Sequence, residues 1–497
     1  MARRSLTRQA ALVITSTALV AASALGGSAM AAAPVGPPST PVPISTPDGL
    51  LMSYVVNVKN ASPGRTKLAE LAVRDAGGTV VQTWGRIGVI VAHSTKAAFR
   101  RDVVRLAKGL VVESVGATRT VAVTEGTPSL NGSAHRGESP ATTKKKSGLA
   151  DESPVAIPAP DPREAEQWDM AQIKADRAHQ VTDGSRIVRV GVLDSGIQST
   201  HPDLAPNFDA ADSVNCTDAG RPDLVPAHWE PTTSDHGTHV AGTIAAARNG
   251  IGIVGVAPNV RLVSVKVVND GGFIYPEYAV CGFMWAGMKK LDVTNNSYFV
   301  DPFMFYCEDQ PDQAAAKEAV RRAVRWSEKQ GVVSAAAAGN SNQDLAHKTT
   351  DNTSPDDQPP SGIVNRKINS GCNDIPTELP GVVTVAATTQ AGDKSSFSNL
   401  GLGVIDVAAP GSRILSTVTG GGYGLKSGTS MASPHVAGVL ALLKSKHPTA
   451  TPAVLVQMLR AEAEDKACPL TDPRCAGTTM NNAFFGEGIV DALKAVG

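Results

Sequence analysis

The sequence has few aromatic residues and no excess of charge of one sign. Phenylalanine, tryptophan and tyrosine make up 4% of the 497 residues, whereas 42% are hydrophobic. Lysine plus arginine and aspartate plus glutamate both number 46, so the formal net charge is zero and does not favour a nucleic-acid partner. A chain of this length and apolar content buries a large core, so we expect more than one folding unit and exclude a disordered protein.

Long apolar runs are also missing, except at the N-terminus. Arginines at positions 3, 4 and 8 precede an apolar stretch, and small residues in "AMA" and "AAA" follow it. This pattern predicts a secretory signal peptide over residues 1–33, and therefore a secreted, extracellular protein. A membrane anchor is the alternative, but Gly26 and Gly27 shorten the apolar run. We expect no stable membrane anchor.

Cysteine is absent from the first 215 residues. The six cysteines are Cys216, Cys281, Cys307, Cys372, Cys468 and Cys475. None has the C-x-x-C spacing that structural zinc usually uses, and an even number in an exported chain predicts disulfides. Cys468 and Cys475 flank the short "PLTDPR" loop and form the one pair that we predict from the sequence.

The zero net charge hides an asymmetry. Residues 1–150 carry 18 basic and 7 acidic side chains, a net charge of +11, and residues 151–497 carry 28 and 39, a net charge of −11. Opposite charges favour docking, so the front part could bind the rest of the chain. A basic signal peptide and the lysine run at 144–146 account for part of this split.

Composition and periodicity divide the remaining chain into four parts. A Pro-rich spacer covers residues 34–49, and alternating strand and amphipathic-helix patterns over residues 50–124 predict a small α+β unit. Residues 125–166 are rich in Pro, Ser, Gly and Thr, which predicts a flexible linker. Residues 167–497 form the main domain.

The main domain alternates apolar runs with helical patterns. The apolar runs include "RIVRVGVLD", "VRLVSVKVV", "DVTNNSY", "GVVSAAAAGN" and "GVVTVAATT". Strands that are apolar throughout and separated by helices predict an α/β fold, with a mostly parallel sheet covered by helices on both faces. In such sheets the functional site lies at the carboxyl ends of the strands.

Four chemically useful residues follow strands or begin helices at that edge. They are Asp194, His236, Asn340 and Ser430. Acyl transfer needs a hydroxyl nucleophile, a base, a carboxylate that orients the base and a donor for the developing oxyanion. Each residue also has a purely structural interpretation. Asp194 could be a turn residue and His236 the first residue of a helix. Asn340 could be a left-handed residue after a glycine, and Ser430 a helix N-cap. Their joint occurrence at one edge favours the catalytic interpretation.

The motifs that carry these residues resemble those of the subtilisin-like serine peptidases. They are "VLDSG", "HGTHVAGT", "GVAP", "AAAAGN" and "SGTSMASPHVAGVLALL", and the resemblance covers residues 168–496. It implies that Ser430 is the nucleophile, His236 the general base and Asp194 the residue that orients His236. It also implies an oxyanion hole formed by Asn340 and the backbone N–H of Ser430.

The resemblance further implies two extended edges that bind substrate. Their residues are Gly271, Gly272, Phe273, Ser297, Tyr298 and Phe299. The second edge departs from the family's usual Ser-Leu-Gly, because Tyr298 and Phe299 are aromatic. These two side chains either reshape the S1 rim and the S4 pocket or pack inward.

A loop at residues 247–258, "ARNGIGIVGVAP", resembles the family's loop for structural calcium, with Asn249 and Asp203 as side-chain ligands. No cofactor is expected for the chemistry. His239 lacks the glutamate of an H-E-x-x-H zinc motif, and we interpret His435 as a packing or hydrogen-bonding residue.

The sequence therefore predicts a secreted serine endopeptidase that acts on protein or peptide substrates as a monomer. The resemblance implies that residues 50–124 are an inhibitory prodomain and that its removal activates the precursor. The alternatives are a non-catalytic binding protein on the same scaffold, and an enzyme dedicated to processing one partner protein rather than to general degradation.

Overall fold

The computed structural model describes residues 36–124 and 159–497. The predicted signal peptide at residues 1–33, and residues 125–158 of the predicted linker, lie outside the described residues. We call residues 50–124 the front unit and residues 159–497 the body.

The front unit is a four-stranded antiparallel sheet with two helices. Its elements are β1 (Met52–Val58), α1 (Pro63–Asp75), β2 (Thr79–Trp84), β3 (Val89–Ser94), α2 (Phe99–Leu106) and β4 (Val112–Ala117). The strand order is β2-β3-β1-β4. Ser62 caps α1 by accepting a hydrogen bond from the Arg65 N–H, and Pro63 has the φ angle that a first helical residue needs. This is the small α+β unit that the sequence predicts.

The body is built on one eight-stranded sheet. The strands of the body are β5 (Arg189–Asp194), β6 (Val214–Asp218), β7 (Arg221–Asp223), β8 (Arg261–Lys266), β9 (Val293–Asn296), β10 (Tyr306–Cys307), β11 (Val333–Ala337), β12 (Thr350–Asp351), β13 (Arg366–Lys367), β14 (Cys372–Asn373), β15 (Val382–Thr388), β16 (Val407–Pro410), β17 (Ile414–Val418) and β18 (Gly422–Lys426). The large sheet has the order β16-β15-β11-β9-β5-β8-β6-β7. All its neighbouring strands are parallel except the β6–β7 pair, which confirms the predicted fold class.

Helices cover both faces of this sheet. The helices of the body are α3 (Trp168–Gln172), α4 (Ala175–Ala178), α5 (His236–Ala245), α6 (Pro276–Lys289), α7 (Pro311–Lys329), α8 (Thr429–Lys446), α9 (Pro452–Glu462) and α10 (Ala492–Ala495). α5 and α8 share one hydrophobic core with the sheet, and α6 and α7 share another. The central strands are buried on both faces, which explains their unbroken apolar sequence.

Three disulfides link parts of the body. The predicted pair Cys468–Cys475 is confirmed. Cys216–Cys281 joins β6 to α6, and Cys307–Cys372 joins β10 to β14. The described part of the chain contains no free cysteine.

The front unit packs its sheet against α6 and α7, and its apolar residues belong to the same core as those helices. The Asn57 Nδ2 donates to the Ala315 carbonyl at 2.8 Å, and the Ala117 N–H donates to Asp312 Oδ1 at 2.9 Å. A methyl group on Gly116 would lie 2.7 Å from the Ala315 Cβ, so glycine is what lets β4 approach α7 so closely.

Two connecting segments also contact the body. In the Pro-rich spacer, the Ser39 N–H donates to Asp309 at 2.7 Å and Thr40 pairs with Lys367. The prediction of a flexible linker up to residue 166 is wrong for its last part, because Asp161 is buried and accepts the Gly250 N–H at 2.7 Å. Across residues 36–124 and 159–497, no helix has the length and apolar content needed to cross a membrane.

Candidate active site

The carboxyl ends of three adjacent strands meet at one edge of the sheet. β5 ends at Asp194, β9 leads into Ser297 and β11 is followed by Asn340. α5 begins at His236 and α8 begins with Thr429 and Ser430. Parallel pairing thus brings the four predicted catalytic residues around one cavity.

Asp194 holds His236 in a fixed orientation. The His236 Nδ1 lies 2.8 Å from Asp194 Oδ1 and 3.0 Å from Oδ2. Asp194 is buried and also accepts the Ser195 N–H at 2.7 Å. Gly237 permits this approach, because a methyl group there would lie 2.4 Å from the Gly196 carbonyl oxygen. With Nδ1 bonded to a carboxylate, the other ring nitrogen is the one available for proton transfer.

The environment of His236 makes its ring more basic than usual. Burial alone would lower the pKa of His236, but the charge of Asp194 and its hydrogen bond outweigh burial, so that the pKa of His236 lies above its ordinary value of 6.5. The side chain remains 29% exposed, which leaves one edge of the ring open to the cavity.

Ser430 lies in the first turn of α8, beside the same cavity. Its hydroxyl donates to the Ser297 carbonyl at 3.3 Å, and the Ser297 hydroxyl donates back to the Ser430 carbonyl at 2.9 Å. This reciprocal pair ties the start of α8 to the end of β9. The helix dipole places positive potential at the Ser430 hydroxyl and backbone N–H.

Asn340 presents its amide nitrogen beside Ser430. Its Oδ1 accepts from the Thr429 N–H at 2.8 Å and the Thr429 hydroxyl at 3.0 Å, so Nδ2 remains as a donor. A methyl group on Gly428 would lie 3.5 Å from Asn340 Nδ2 and 3.6 Å from the Ser430 nitrogen. Asn340 Nδ2 and the Ser430 nitrogen therefore both lie within 3.6 Å of one point at the cavity wall.

Asn399 is a site residue that the sequence analysis missed. Its Oδ1 accepts the N–H groups of Ser341 and Gln343 at 3.1 and 2.9 Å, and its Nδ2 donates to the Ala338 carbonyl at 2.8 Å. Asn399 is buried and pins the loop that carries Asn340 on both sides. It lies between "SSFS" and "LGLG", outside every motif, so no local signal marks it.

The cavity has a volume of about 490 Å³. Of the predicted substrate-binding residues, five line it: Gly272, Phe273, Ser297, Tyr298 and Phe299. Gly271 lies in the adjoining turn, where its N–H donates to Asn269 Oδ1 at 3.0 Å. Three acidic residues that the sequence analysis did not place also line the cavity: Asp301, Asp356 and Asp374.

The two aromatic residues of the second edge behave differently. The Tyr298 ring packs against the core, and its hydroxyl donates to Asn296 Oδ1 at 3.1 Å. Burial and the nearby charge of Asp194 raise the pKa of the Tyr298 phenol well above its usual range. Tyr298 thus turns partly inward, whereas Phe299 is half-buried at the cavity wall.

The two other motif histidines are bonded within the core. His239 Nε2 lies 3.1 Å from the carbonyls of Ile414 and Gly424, and burial lowers its pKa to about 4. His435 is fully buried between the Met431 carbonyl and Asp169 Oδ2. Both contribute to packing and hydrogen bonding.

The predicted calcium loop brings Asp203 and Asn249 near each other. Asp203 Oδ2 accepts from the Ile253 N–H at 3.1 Å and the Tyr423 hydroxyl at 2.8 Å, while the buried Oδ1 has no hydrogen-bond partner. The Asn249 Oδ1 accepts from the Ile251 N–H at 3.1 Å. Carboxylate and amide oxygens are the hard oxygen donors that calcium takes, and Asp203 Oδ1 is free to act as one.

Comparison with known proteins identifies the family. The model of the Subtilase family matches residues 185–488. The chain is 36% identical over 331 residues to subtilisin of Bacillus pumilus, covering 66% of this chain and 98% of that protein. The chain belongs to the subtilase family. Subtilisin NAT of Bacillus subtilis subsp. natto is 34% identical over the same length, covering 66% of this chain and 70% of that protein.

The subtilase is a serine-type endopeptidase, as the sequence predicts. A solved structure, the epidermin leader peptide processing serine protease (EpiP) of Staphylococcus aureus, superimposes with a TM-score of 0.64 at 20% identity. The match covers 90% of this chain and 98% of that one. At this identity, the likeness establishes the shared fold.

Two histidines of α5 should titrate at very different pH. We expect histidine-selective nitrogen NMR of the intact chain to give a pKa above 6.5 for His236 and about 4 for His239. Asp194→Asn should lower the pKa of His236 below 6.5, because burial then dominates, and should leave His239 unchanged. An unchanged His236 titration in the variant would contradict control by Asp194.

Proposed function

We propose that this subtilase cleaves peptide bonds through an acyl-enzyme formed on Ser430, with His236 as general base and Asp194 as the residue that orients it. The observation that carries this proposal is the Asp194–His236 hydrogen bond at 2.8 Å, in the cavity where Ser430 and Asn340 also lie. That arrangement supplies the four parts that acyl transfer requires.

The first step transfers a proton from the Ser430 hydroxyl to His236 Nε2 as the oxygen attacks the substrate carbonyl carbon. For this, the hydroxyl leaves the Ser297 carbonyl, which it contacts at 3.3 Å without substrate. Catalytic hydrogen bonds of this kind tighten when substrate binds. Asp194 stabilises the imidazolium that forms.

The negative charge that develops on the carbonyl oxygen is met by Asn340 Nδ2 and the Ser430 N–H. His236 then returns its proton to the leaving amine, and a water molecule hydrolyses the acyl-enzyme by the same path. Because Thr429 and Asn399 fix the loop and side chain of Asn340, these donors are positioned before substrate arrives. We propose that Gly271–Phe273 and Ser297–Phe299 pair with the extended substrate backbone.

We also propose that the front unit is an inhibitory prodomain. Arg119, just after β4, forms a buried ion pair with Glu277 and stacks over the Tyr275 ring at 3.8 Å. Tyr275 stacks in turn on Phe273, which lines the cavity. Thr120 donates to Asp357, the neighbour of the cavity residue Asp356. The front unit therefore contacts residues that adjoin those lining the cavity.

Secretion as a precursor is consistent with these contacts. Three disulfides indicate folding in an oxidising compartment, and the N-terminal pattern predicts the signal that leads there. We propose that the enzyme is exported with its cavity obstructed and is activated when the front unit is removed.

We further propose that Asp203 and Asn249 bind a structural calcium ion. The ion would neutralise a carboxylate whose pKa is raised by burial, and would tie the loop at residues 247–258 to the body. It takes no part in the chemistry, which Ser430, His236 and Asn340 perform.

Removing the nucleophile or the amide donor tests the catalytic assignment. Ser430→Ala should abolish peptide hydrolysis and leave the precursor uncut. Asn340→Ala should lower kcat by about 10²- to 10³-fold with little change in KM, the loss known for such a donor in subtilisin. Asn259→Ala is the matched control, since Asn259 is exposed and lies outside the cavity. Normal hydrolysis by Ser430→Ala would contradict the assignment.

Arg119 tests the docking of the front unit. Removing one partner of a buried ion pair costs about 3–5 kcal/mol, so Arg119→Met should release the front unit from the processed enzyme on size-exclusion chromatography. Arg101→Met is the control, because Arg101 is exposed and pairs with Asp102 of its own helix. Moderate salt should weaken the wild-type complex only slightly, since the Arg119–Glu277 pair is buried. Retention of the Arg119→Met front unit would contradict this anchor.

Thermal unfolding tests the calcium proposal. Calcium at 1,000 times its Kd would stabilise the fold by about 4 kcal/mol, so a chelator should lower the Tm of the wild type. Asp203→Asn should lose this calcium-dependent shift, whereas Asp292→Asn, at a half-buried carboxyl outside the loop, should keep it. A wild-type Tm that is equal with calcium and with chelator would contradict the site.

A further inference from the structure

Asp374 is a buried carboxyl group at the wall of the catalytic cavity. It follows β14, is only 2% exposed, and lines the same cavity as Ser430 and Asn340. A methyl group on Gly339 would lie 3.8 Å from Asp374 Oδ2. Asp374 therefore lies directly behind the loop that carries the amide donor Asn340.

The carboxyl group of Asp374 has no counter-charge of its own. Its buried Oδ1 has no hydrogen-bond partner. Lys348, a cation whose charge acts on Asp374, is itself bonded to Glu378 and to the Leu345 carbonyl, the latter at 3.0 Å. Glu378 also accepts the Asp374 N–H at 2.7 Å, so it adds negative charge beside Asp374 rather than relieving it.

Burying a carboxylate without a partner costs free energy, and a group bound in the cavity could reduce that free-energy cost. Burial raises the pKa of Asp374 well above its usual range, and Glu378 adds to this, while Lys348 only partly opposes it. A cationic group entering the cavity would stabilise the ionised form of Asp374 and supply donors for Oδ1. Lysine and arginine side chains carry such groups.

Besides Asp194, two other carboxyl groups line the cavity. Asp301 accepts the Ile274 N–H, next to the edge formed by Phe273, and hydrogen-bonds to Asp356. Asp301 and Asp356 share a hydrogen bond, whereas Oδ1 of Asp374, near Gly339, has no hydrogen-bond partner. Asp301 and Asp356 add to the negative potential of the cavity without replacing the role of Asp374.

The location of Asp374 relative to the oxyanion donors indicates which substrate residue it meets. If the scissile carbonyl oxygen lies between Asn340 Nδ2 and the Ser430 N–H, the side chain of the same residue extends into the adjoining cavity, past Gly339. We propose that Asp374 determines specificity by binding a lysine or arginine side chain at this P1 position. This inference rests on the proposed function and specifies its substrate class.

Peptides that differ only at P1 test the inference. With the processed enzyme, kcat/KM for arginine and lysine should exceed that for leucine and phenylalanine by at least about 100-fold, because a buried charge pair would form only with the basic residues. Asp374→Asn should lower kcat/KM for the arginine peptide by about 100-fold and affect the leucine peptide far less.

Two further variants separate Asp374 from the other carboxyl groups. Asp292→Asn, at a half-buried carboxyl outside the cavity, should keep the full preference for arginine. Asp301→Asn should reduce arginine cleavage less than Asp374→Asn does. A wild-type preference for leucine or phenylalanine, or an arginine preference that survives Asp374→Asn, would overturn the inference. A preference lost only in Asp301→Asn would overturn it as well.

Labelling with a fluorophosphonate distinguishes a wrong assignment of Asp374 from a wrong assignment of the nucleophile Ser430. The reagent reacts with an activated serine whatever the P1 preference, so wild type and Asp374→Asn should both be labelled, and Ser430→Ala should not. Labelling without a basic preference would reject the role of Asp374 and keep Ser430 as nucleophile. If neither protein reacted, the proposed function itself would fail. Labelling of Asp374→Asn also shows that the variant is folded.

Discussion

The hydrogen bond between Asp194 and His236 depends on how closely β5 approaches the start of α5. Asp194 is the last residue of its strand, and the turn at Gly196 has a φ of 101°, a conformation that side-chain-bearing residues rarely adopt. Gly237 then brings the first turn of α5 against that turn. A bulkier residue at either glycine would separate carboxylate from imidazole. The raised pKa of His236, and so the proton transfer assigned to it, follows from this contact.

Around that pair, the candidate active site is held together by hydrogen bonds between protein groups. Thr429 orients Asn340, Asn399 pins the loop on both sides of it, and Ser297 ties the start of α8 to β9. Such fixed dipoles require no reorganisation as charge develops, which is why they stabilise the transition state more than the ground state. The site is thus rigid because hydrogen bonds join the carboxyl ends of the strands to the first turns of the helices.

The sequence was sufficient to predict the sheet, most of its strands and the four central residues. These features depend on local patterns: buried parallel strands are apolar throughout, and the residues at their ends lie within recognisable motifs. Asn399 and Asp374 could not be found in this way, because each lies against the Asn340 loop only through the fold and is distant from it in sequence. The inward turn of Tyr298 likewise depends on Asn296 and on the surrounding core.

The opposite net charges of the two parts of the chain correspond to a few ion pairs between the front unit and the body. In the ion pairs Arg119–Glu277 and Arg100–Asp312 the front unit supplies the arginine and the body the carboxylate. In Arg322–Glu113 the body supplies the arginine. The contacts of the front unit are therefore a few specific pairs set in a shared apolar core rather than a general attraction between surfaces. The cavity of the same acidic body is lined by further carboxyl groups, and the buried Oδ1 of Asp374 among them has no hydrogen-bond partner. If Asp374 binds a basic P1 side chain as we propose, then substrate recognition and docking of the front unit each depend on one buried carboxylate of the body, Asp374 in the first case and Glu277 in the second.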